Sequence, residues 1–298
     1  MSGDPFPTPL VSTAWLASHL TAARVKVIDA STYLPNAGRN AREEYIAAHI
    51  PGALFCDLGW LSDETAPFPH TLPSADVFGQ RMGSLGVGND DAIVVYDGSD
   101  QNFSAPRLWW MFRTFGHERV SVLDGGFGKW RRDHFAVDSA VPLVTPTAFH
   151  ARLDASRVRD IDTMQTNLGT HREQVVDARS AGRFEGVEPE PRAGVRSGHI
   201  PRSVNVHYAR LVNDNGTVRS AEQLRVIMRD AGLDLTRPIV ASCGTGVTAC
   251  AVVLALDLLG VPNTAVYDGS WTEWGSTDGM ATETGPAPTV TGPGQDAK

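Results

Sequence analysis

AAHIPGALF, residues 47–55, returns 150 positions later as SGHIPRSVN, residues 197–205. Three further stretches recur in the same order. VKVIDAS (25–31) returns as QVVDARS (174–180), DAIVVYDGS (91–99) as RPIVASCGT (237–245), and VLDGGFGKW (122–130) as VYDGSWTEW (266–274). Each pair is separated by nearly the same distance, and chance does not preserve order and spacing together. The chain is read as a tandem duplication.

Each copy alternates short β-branched runs with helical patterns. The runs 25–29, 92–96 and 120–123, then 174–177, 238–242 and 265–267, are predicted buried parallel strands. Residues 106–115 and 247–259 are predicted helices, the second ending at Gly260 in the position glycine favours after a helix. The fold class expected is α/β: two similar domains, each a mostly parallel sheet with helices on both faces. Residues 137–165 repeat nothing and contain Pro142 and Pro146. The expected organisation is an N-terminal domain over 1–140, a linker over 141–165 and a C-terminal domain over 166–298. The Gly/Pro/Thr-rich tail from about residue 284 is expected to be flexible.

Composition narrows the function. An apolar fraction of 42% suits a soluble core. A formal charge of −8 argues against nucleic-acid or anionic-membrane partners, though not against a small anion in a local basic pocket. Three cysteines, Cys56, Cys243 and Cys250, cannot all pair, so a reducing, cytoplasmic setting is expected. Their spacing matches no zinc site. The N-terminus has no secretory pattern, and no window is long and apolar enough to span a membrane.

The duplication also serves as an internal control. A residue in both copies more plausibly serves the fold; a residue in one copy is a candidate for chemistry. By this test His49 and His199, both in HIP, are structural. So are Asp29, Asp177, Asp124 and Asp268. At the end of the third landmark the copies differ: the first has Asp97 in YDGSDQNF, the second Cys243 in SCGTGVTAC. A cysteine at a strand's carboxyl end, before a glycine-containing turn, occupies the usual ligand position of α/β sheets. Gly244 and Gly246 let the loop's N–H groups converge, and the helix that follows presents its positive end. Both effects favour a nucleophilic thiolate. Cys250 and Cys56 read as packed core. A cysteine phosphatase would need an arginine six residues after the cysteine; that position is Ala249.

CGTGVTAC, the two HIP segments and DGSWTEW resemble the two-domain sulfurtransferases of the rhodanese superfamily, over roughly residues 10–280. The uncharged loop, with SAPRLWWMFRTFGH and GRFEGVEPEPRAGVRSGHIP, is similar within that group to the 3-mercaptopyruvate sulfurtransferases. The resemblance implies two rhodanese-like domains and a ping-pong transfer through a Cys243 persulfide. It also implies 3-mercaptopyruvate as donor, a thiol such as thioredoxin or cyanide as acceptor, and no cofactor or metal. It assigns Arg183 and Arg192 to the donor's carboxylate and keto oxygen, with Gly244, Gly246, Val247 and Thr248 binding through the loop. Ion pairing of the arginines with Glu185, Glu188 or Glu190 is the bland alternative. Thr245 and His70 match two members of a serine-protease-like triad, but the third position holds Gly59 and no carboxylate. The competing readings are a thiosulfate sulfurtransferase and a non-catalytic persulfide carrier.

Overall fold

The computed structural model describes residues 6, 9–34, 36–101 and 103–287. The strands are β1 (Leu10–Val11), β2 (Val25–Asp29), β3 (Leu54–Phe55), β4 (Ala92–Tyr96) and β5 (Val120–Leu123), then β6 (Val158–Arg159), β7 (Gln174–Asp177), β8 (Val204–Asn205), β9 (Ile239–Ser242) and β10 (Thr264–Tyr267). They form two sheets, ordered β1-β5-β4-β2-β3 and β6-β10-β9-β7-β8. Every pairing is parallel. The second order is the first one repeated, so the duplication holds strand for strand.

Successive side chains of a strand point to opposite faces, and here both faces are covered. Val27, Val94 and Leu123 fill a core private to the first domain, and Val175, Val240 and Ala265 one private to the second. Their neighbours Ile28, Val95, Val176 and Ala241 join a single core continuous across both domains. Two helices form its centre, Ala105–Thr114 and Ala249–Leu258. Nearly every residue of both is buried, because each packs on its own sheet and on the other helix. At their rim Arg113 Nη1 meets Asp257 Oδ1 at 2.6 Å.

Two expectations need correction. The segment read as a linker, 141–165, contains β6 and the start of the helix Ile161–Thr170. Its two-residue strand is too short to carry a hydrophobic signature, and only pairing with β10 makes it a strand. The helix expected from residue 247 begins at Ala249, because Val247 and Thr248 stay in the turn. Residues 288–298 of the tail lie outside the described residues. Among the described residues no helix is long and apolar enough to cross a membrane.

The duplicated histidines do the same job twice. His49 Nδ1 bonds the Tyr45 carbonyl at 2.6 Å and its ring stacks on Tyr45. His199 Nδ1 bonds the Phe184 carbonyl at 2.8 Å and stacks on Phe184. The duplicated aspartates clasp the opposite domain. Asp124 Oδ1 accepts from Val218 N at 2.8 Å, and Asp268 Oδ2 accepts from Leu72 N at 2.7 Å.

Candidate active site

Cys243 follows β9 directly and is 2% exposed. Its N–H donates to Ser270 Oγ at 3.1 Å, and its carbonyl accepts from Trp271 N at 3.0 Å. Among the described residues, the N–H groups of Gly244, Thr245, Gly246, Val247 and Thr248 donate to no protein acceptor. The first domain shows what such a loop does. There Asp97, at Cys243's position, is fully buried and accepts from the N–H groups of Ser99, Ser104 and Ala105 at 2.8 to 2.9 Å. The first loop holds an anion of its own; the second is free to hold another's.

Glycines are required where the loop is crowded. Gly246 has φ +75, and a Cβ there would stand 2.8 Å from the Asp268 carbonyl and 3.0 Å from Arg107 Nη1. A Cβ on Gly244 would stand 3.1 Å from Arg183 Nη2. The N-terminal turn of Ala249–Leu258 is therefore packed from both sides. Cys250 Sγ bonds the Gly246 carbonyl at 3.2 Å, and burial pushes its thiol up to about 12. Cys56 is fully buried and its thiol is likewise pushed up by desolvation. Neither of these sulfurs is a thiolate at neutral pH.

The arginines sit on the stretch between β7 and the second HIP. Arg183, in the short helix Ala181–Glu185, points a fork at Glu190: Nε to Oε1 at 3.2 Å and Nη2 to Oε2 at 2.6 Å. The pairing weighed in the sequence is thus present, with Glu190. Glu190 is 3% exposed and also accepts from Arg179 Nη1 at 2.7 Å. Arg179 is in turn bonded to Asp177. Arg192 has no carboxylate partner among the described residues. It is half-buried, and burial, then the Arg183 charge, lowers its pKa. It lies within electrostatic reach of Cys243, so an anion seated on the loop would relieve it.

His70 comes from the first domain and meets the loop. Its Nδ1 lies 3.0 Å from Thr245 Oγ1. Burial, then the charges of Arg107 and Arg192, pulls its pKa down to about 4, with Asp57 and Asp268 opposing. The ring is neutral at neutral pH. Gly59 lies in the first turn of the helix Leu58–Leu61, and Asp57 Oδ1 is spent capping that helix through Gly59 N and Trp60 N. A stability prediction follows from the sign of the His70 shift. The unfolded chain, with a pKa near 6.5, binds the proton first. Stability is complete above that pH and is lost as pH falls toward 4, by roughly 3 kcal/mol. Urea midpoints at pH 7 and pH 4.5 should fall further in the wild type than in His70→Gln. Equal falls would remove His70 from this account.

Two residues of the site escaped the sequence reading. Arg107 is 1% exposed, inside the apolar helix of the first domain. Its Nη2 donates to the His70 carbonyl and to Asp268 Oδ1, both at 2.7 Å, and Nη1 reaches the Gly246 carbonyl at 3.4 Å. Burial works against its charge, but Asp268 and Cys250 together more than offset this and raise its pKa. A lone arginine within SAPRLWWMF was the available signal. Ser270 is the other. It has φ +52, where its counterpart in the first copy is Gly126 at φ +56. A left-handed non-glycine residue is strained. Glycine would suffice for the turn, yet the cysteine-bearing copy carries the hydroxyl that takes the Cys243 N–H. Comparing the copies at this position would have found it. A cavity of about 620 Å³ lies beside the amino-terminal ends of β7 and β8 and contains none of these residues.

The model of the rhodanese-like domain matches residues 12–133 and again 160–277. The 3-mercaptopyruvate sulfurtransferase of Rattus norvegicus is 48% identical over 270 residues, covering 89% of this chain and 91% of that protein. The thiosulfate sulfurtransferase of the same organism is 46% identical over 271 residues, with the same coverage. Among solved structures, a 3-mercaptopyruvate sulfotransferase from Escherichia coli superposes with a TM-score of 0.82 at 39% identity, covering 89% of this chain and 99% of that one. Two parallel sheets of identical strand order, a cysteine in a turn of unpaired N–H groups in the second, and these matches lead to one statement: the chain belongs to the rhodanese family, with two rhodanese-like domains in tandem.

Proposed function

We propose that the protein transfers sulfur from 3-mercaptopyruvate through a persulfide on Cys243. The observation that carries this reading is the uncharged turn with its free N–H groups, beside the unpaired Arg192. Overall identity does not separate the two donor classes, since relatives of both kinds are about equally similar. The chemistry of the loop does.

Cys243 thiolate attacks the donor's sulfur. The Cys243 S–S bond forms, the donor's C–S bond breaks, and the electron pair leaves with carbon as the pyruvate enolate. A proton at that carbon completes pyruvate. Arg192, whose fork meets no carboxylate, holds the donor's carboxylate, and Arg183 reaches the keto oxygen with the Nη1 that Glu190 leaves unbonded. With His70 Nδ1 donating to Thr245 Oγ1, the threonine proton is left free for the keto oxygen, whose charge grows as the enolate forms. The loop N–H groups of Gly244, Gly246, Val247 and Thr248 stabilise the sulfur anion. An acceptor thiolate, or cyanide, then attacks the outer sulfur and releases Cys243 as thiolate. Thioredoxin is the expected class of protein acceptor, and a reducing, cytoplasmic setting suits three free thiols.

The test compares kcat/KM for 3-mercaptopyruvate and thiosulfate, with cyanide as common acceptor. The first should exceed the second by at least about tenfold, a difference of about 1.4 kcal/mol in transition-state binding. Mass spectrometry after donor treatment should place one added sulfur on the Cys243 peptide. A preference for thiosulfate sinks the donor assignment, and sulfur found elsewhere sinks the mechanism.

A further inference from the structure

In the second domain Arg179 sits in a complete guanidinium site. Its fork meets both oxygens of Asp177, Nε to Oδ1 at 3.1 Å and Nη2 to Oδ2 at 2.6 Å. Nη2 also donates to the Gly198 carbonyl and Nη1 to Glu190 Oε1, both at 2.7 Å. The guanidinium lies over the Trp271 ring, 4.6 Å from its centroid. The first domain repeats these surroundings without the arginine. The residue two after each aspartate is fixed by the same bond: Ser31 N donates to Asp29 Oδ1 and Arg179 N to Asp177 Oδ1, both at 2.9 Å. Ser31 thus stands where Arg179 does. Ala48 precedes the first HIP histidine as Gly198 precedes the second, and Phe127 is the counterpart of Trp271. Serine is too short to fill an arginine's space. Asp29, Ser31, Ala48 and Phe127 line a cavity of about 360 Å³ at the carboxyl end of β2.

Asp29 gives the cavity its chemistry. It is 4% exposed and, unlike Asp177, pairs with no cation among the described residues. Ser31 N and Oγ both donate to Oδ1, and the Tyr96 hydroxyl bonds the carboxylate too. A carboxylate has about four acceptor positions, so capacity remains. Burial pushes its pKa up to about 6, as expected of a carboxylate short of a counter-charge. The other carboxylates at the rim are matched, Glu44 by Arg39 and Asp100 by Arg132. Two arginines border the cavity. Arg39 is spent on Glu44 and on the Gly98 carbonyl. Arg131 is exposed and stands 6.0 Å from the Phe127 centroid, farther than Arg179 stands from Trp271.

We propose that this cavity binds a guanidinium group, on a small solute or on a partner's arginine side chain, in the place that Arg179 fills in the second domain. Asp29 accepts the fork, Phe127 offers its ring face and the Ala48 carbonyl takes a further N–H. The site lies in the domain without the cysteine and does not depend on the sulfur-transfer reading.

The probes are methylguanidinium and an end-blocked tripeptide with a central arginine. Each is titrated by ligand-observed NMR against the wild type, Asp29→Asn and Ser31→Arg. The wild type should bind methylguanidinium with a Kd below about 10 mM. Asp29→Asn should weaken binding at least about tenfold, and Ser31→Arg, which supplies the guanidinium from the chain itself, should abolish it. Tighter binding of the tripeptide makes a partner's side chain the source; tighter binding of methylguanidinium makes it a free solute. Either supports the site. Absence of saturable binding to the wild type overturns the proposal. So does undiminished binding to Ser31→Arg, which would place the probe elsewhere. Binding to Arg131→Ala but not to the wild type would make the chain's own Arg131 the occupant, and the proposal falls. Circular dichroism checks folding, and if one of the two pocket variants does not fold the other decides alone.

Discussion

Cys243→Ser should lose at least about four orders of magnitude in kcat for sulfur transfer while keeping the wild-type urea midpoint within about 0.5 kcal/mol. The structural cost is small because the contacts that position residue 243 are backbone ones: N–H to Ser270 Oγ and carbonyl to Trp271 N. Serine makes both. What disappears is a polarisable nucleophile that can carry a second sulfur, and no neighbour replaces it. Cys250 and Cys56 are fully buried thiols with raised pKa values. Stopped assays with either donor, together with circular dichroism, check the result. A variant retaining more than about 1% of activity would place the nucleophile elsewhere, because loss of a nucleophile alone removes far more than that.

Arg107→Met should destabilise the protein by about 3–5 kcal/mol and lower kcat/KM as well. The guanidinium is 1% exposed and holds the His70 carbonyl, the Asp268 carboxylate and the Gly246 carbonyl. Its plane also lies over the Trp110 ring, 4.7 Å from the centroid. Methionine fills the volume and bonds none of the three oxygens. The Asp268 carboxylate keeps the Leu72 N–H but loses its only cation among the described residues, which is the dominant cost. Because His70 and Gly246 hang from the same group, the pairing of His70 with Thr245 loosens with it. Replacing both members of the pair, in Arg107→Met with Asp268→Leu, should recover part of the stability and little of the activity. Urea unfolding of the two single variants and the double variant forms the cycle that measures the coupling. Additive losses would mean that Arg107 and Asp268 act independently.

The fold was legible because the chain states it twice. Strands of four or five residues with β-branched runs, such as VVDA at 175–178, announce themselves; two-residue edge strands such as Val158–Arg159 do not, since only their neighbours define them. Within the site, residues that are local to the cysteine loop were readable from spacing. Of those contributed by the other domain, His70 entered only through the family resemblance and Arg107 not at all. Arg107 looked like one arginine in an apolar helix, and Asp268 like a duplicated structural residue. Asp268 is that residue, clasping Leu72, and it also balances Arg107 beneath the loop. Glu190 looked like one of three interchangeable glutamates until burial singled it out.

Asp97 makes the duplication asymmetric. Its carboxylate is a ligand made permanent, wired to Ser99, Ser104 and Ala105. The chain from Asp97 to its helix at Ala105 is two residues longer than that from Cys243 to Ala249, and the cradle is shaped to the longer reach. Placing a cysteine at position 97 would strand two buried N–H groups and a part-buried one without providing a pocket. A single substitution at Asp97 therefore does not give the first domain a second cysteine site. The first domain serves the second instead, which borrows His70 and Arg107 from it.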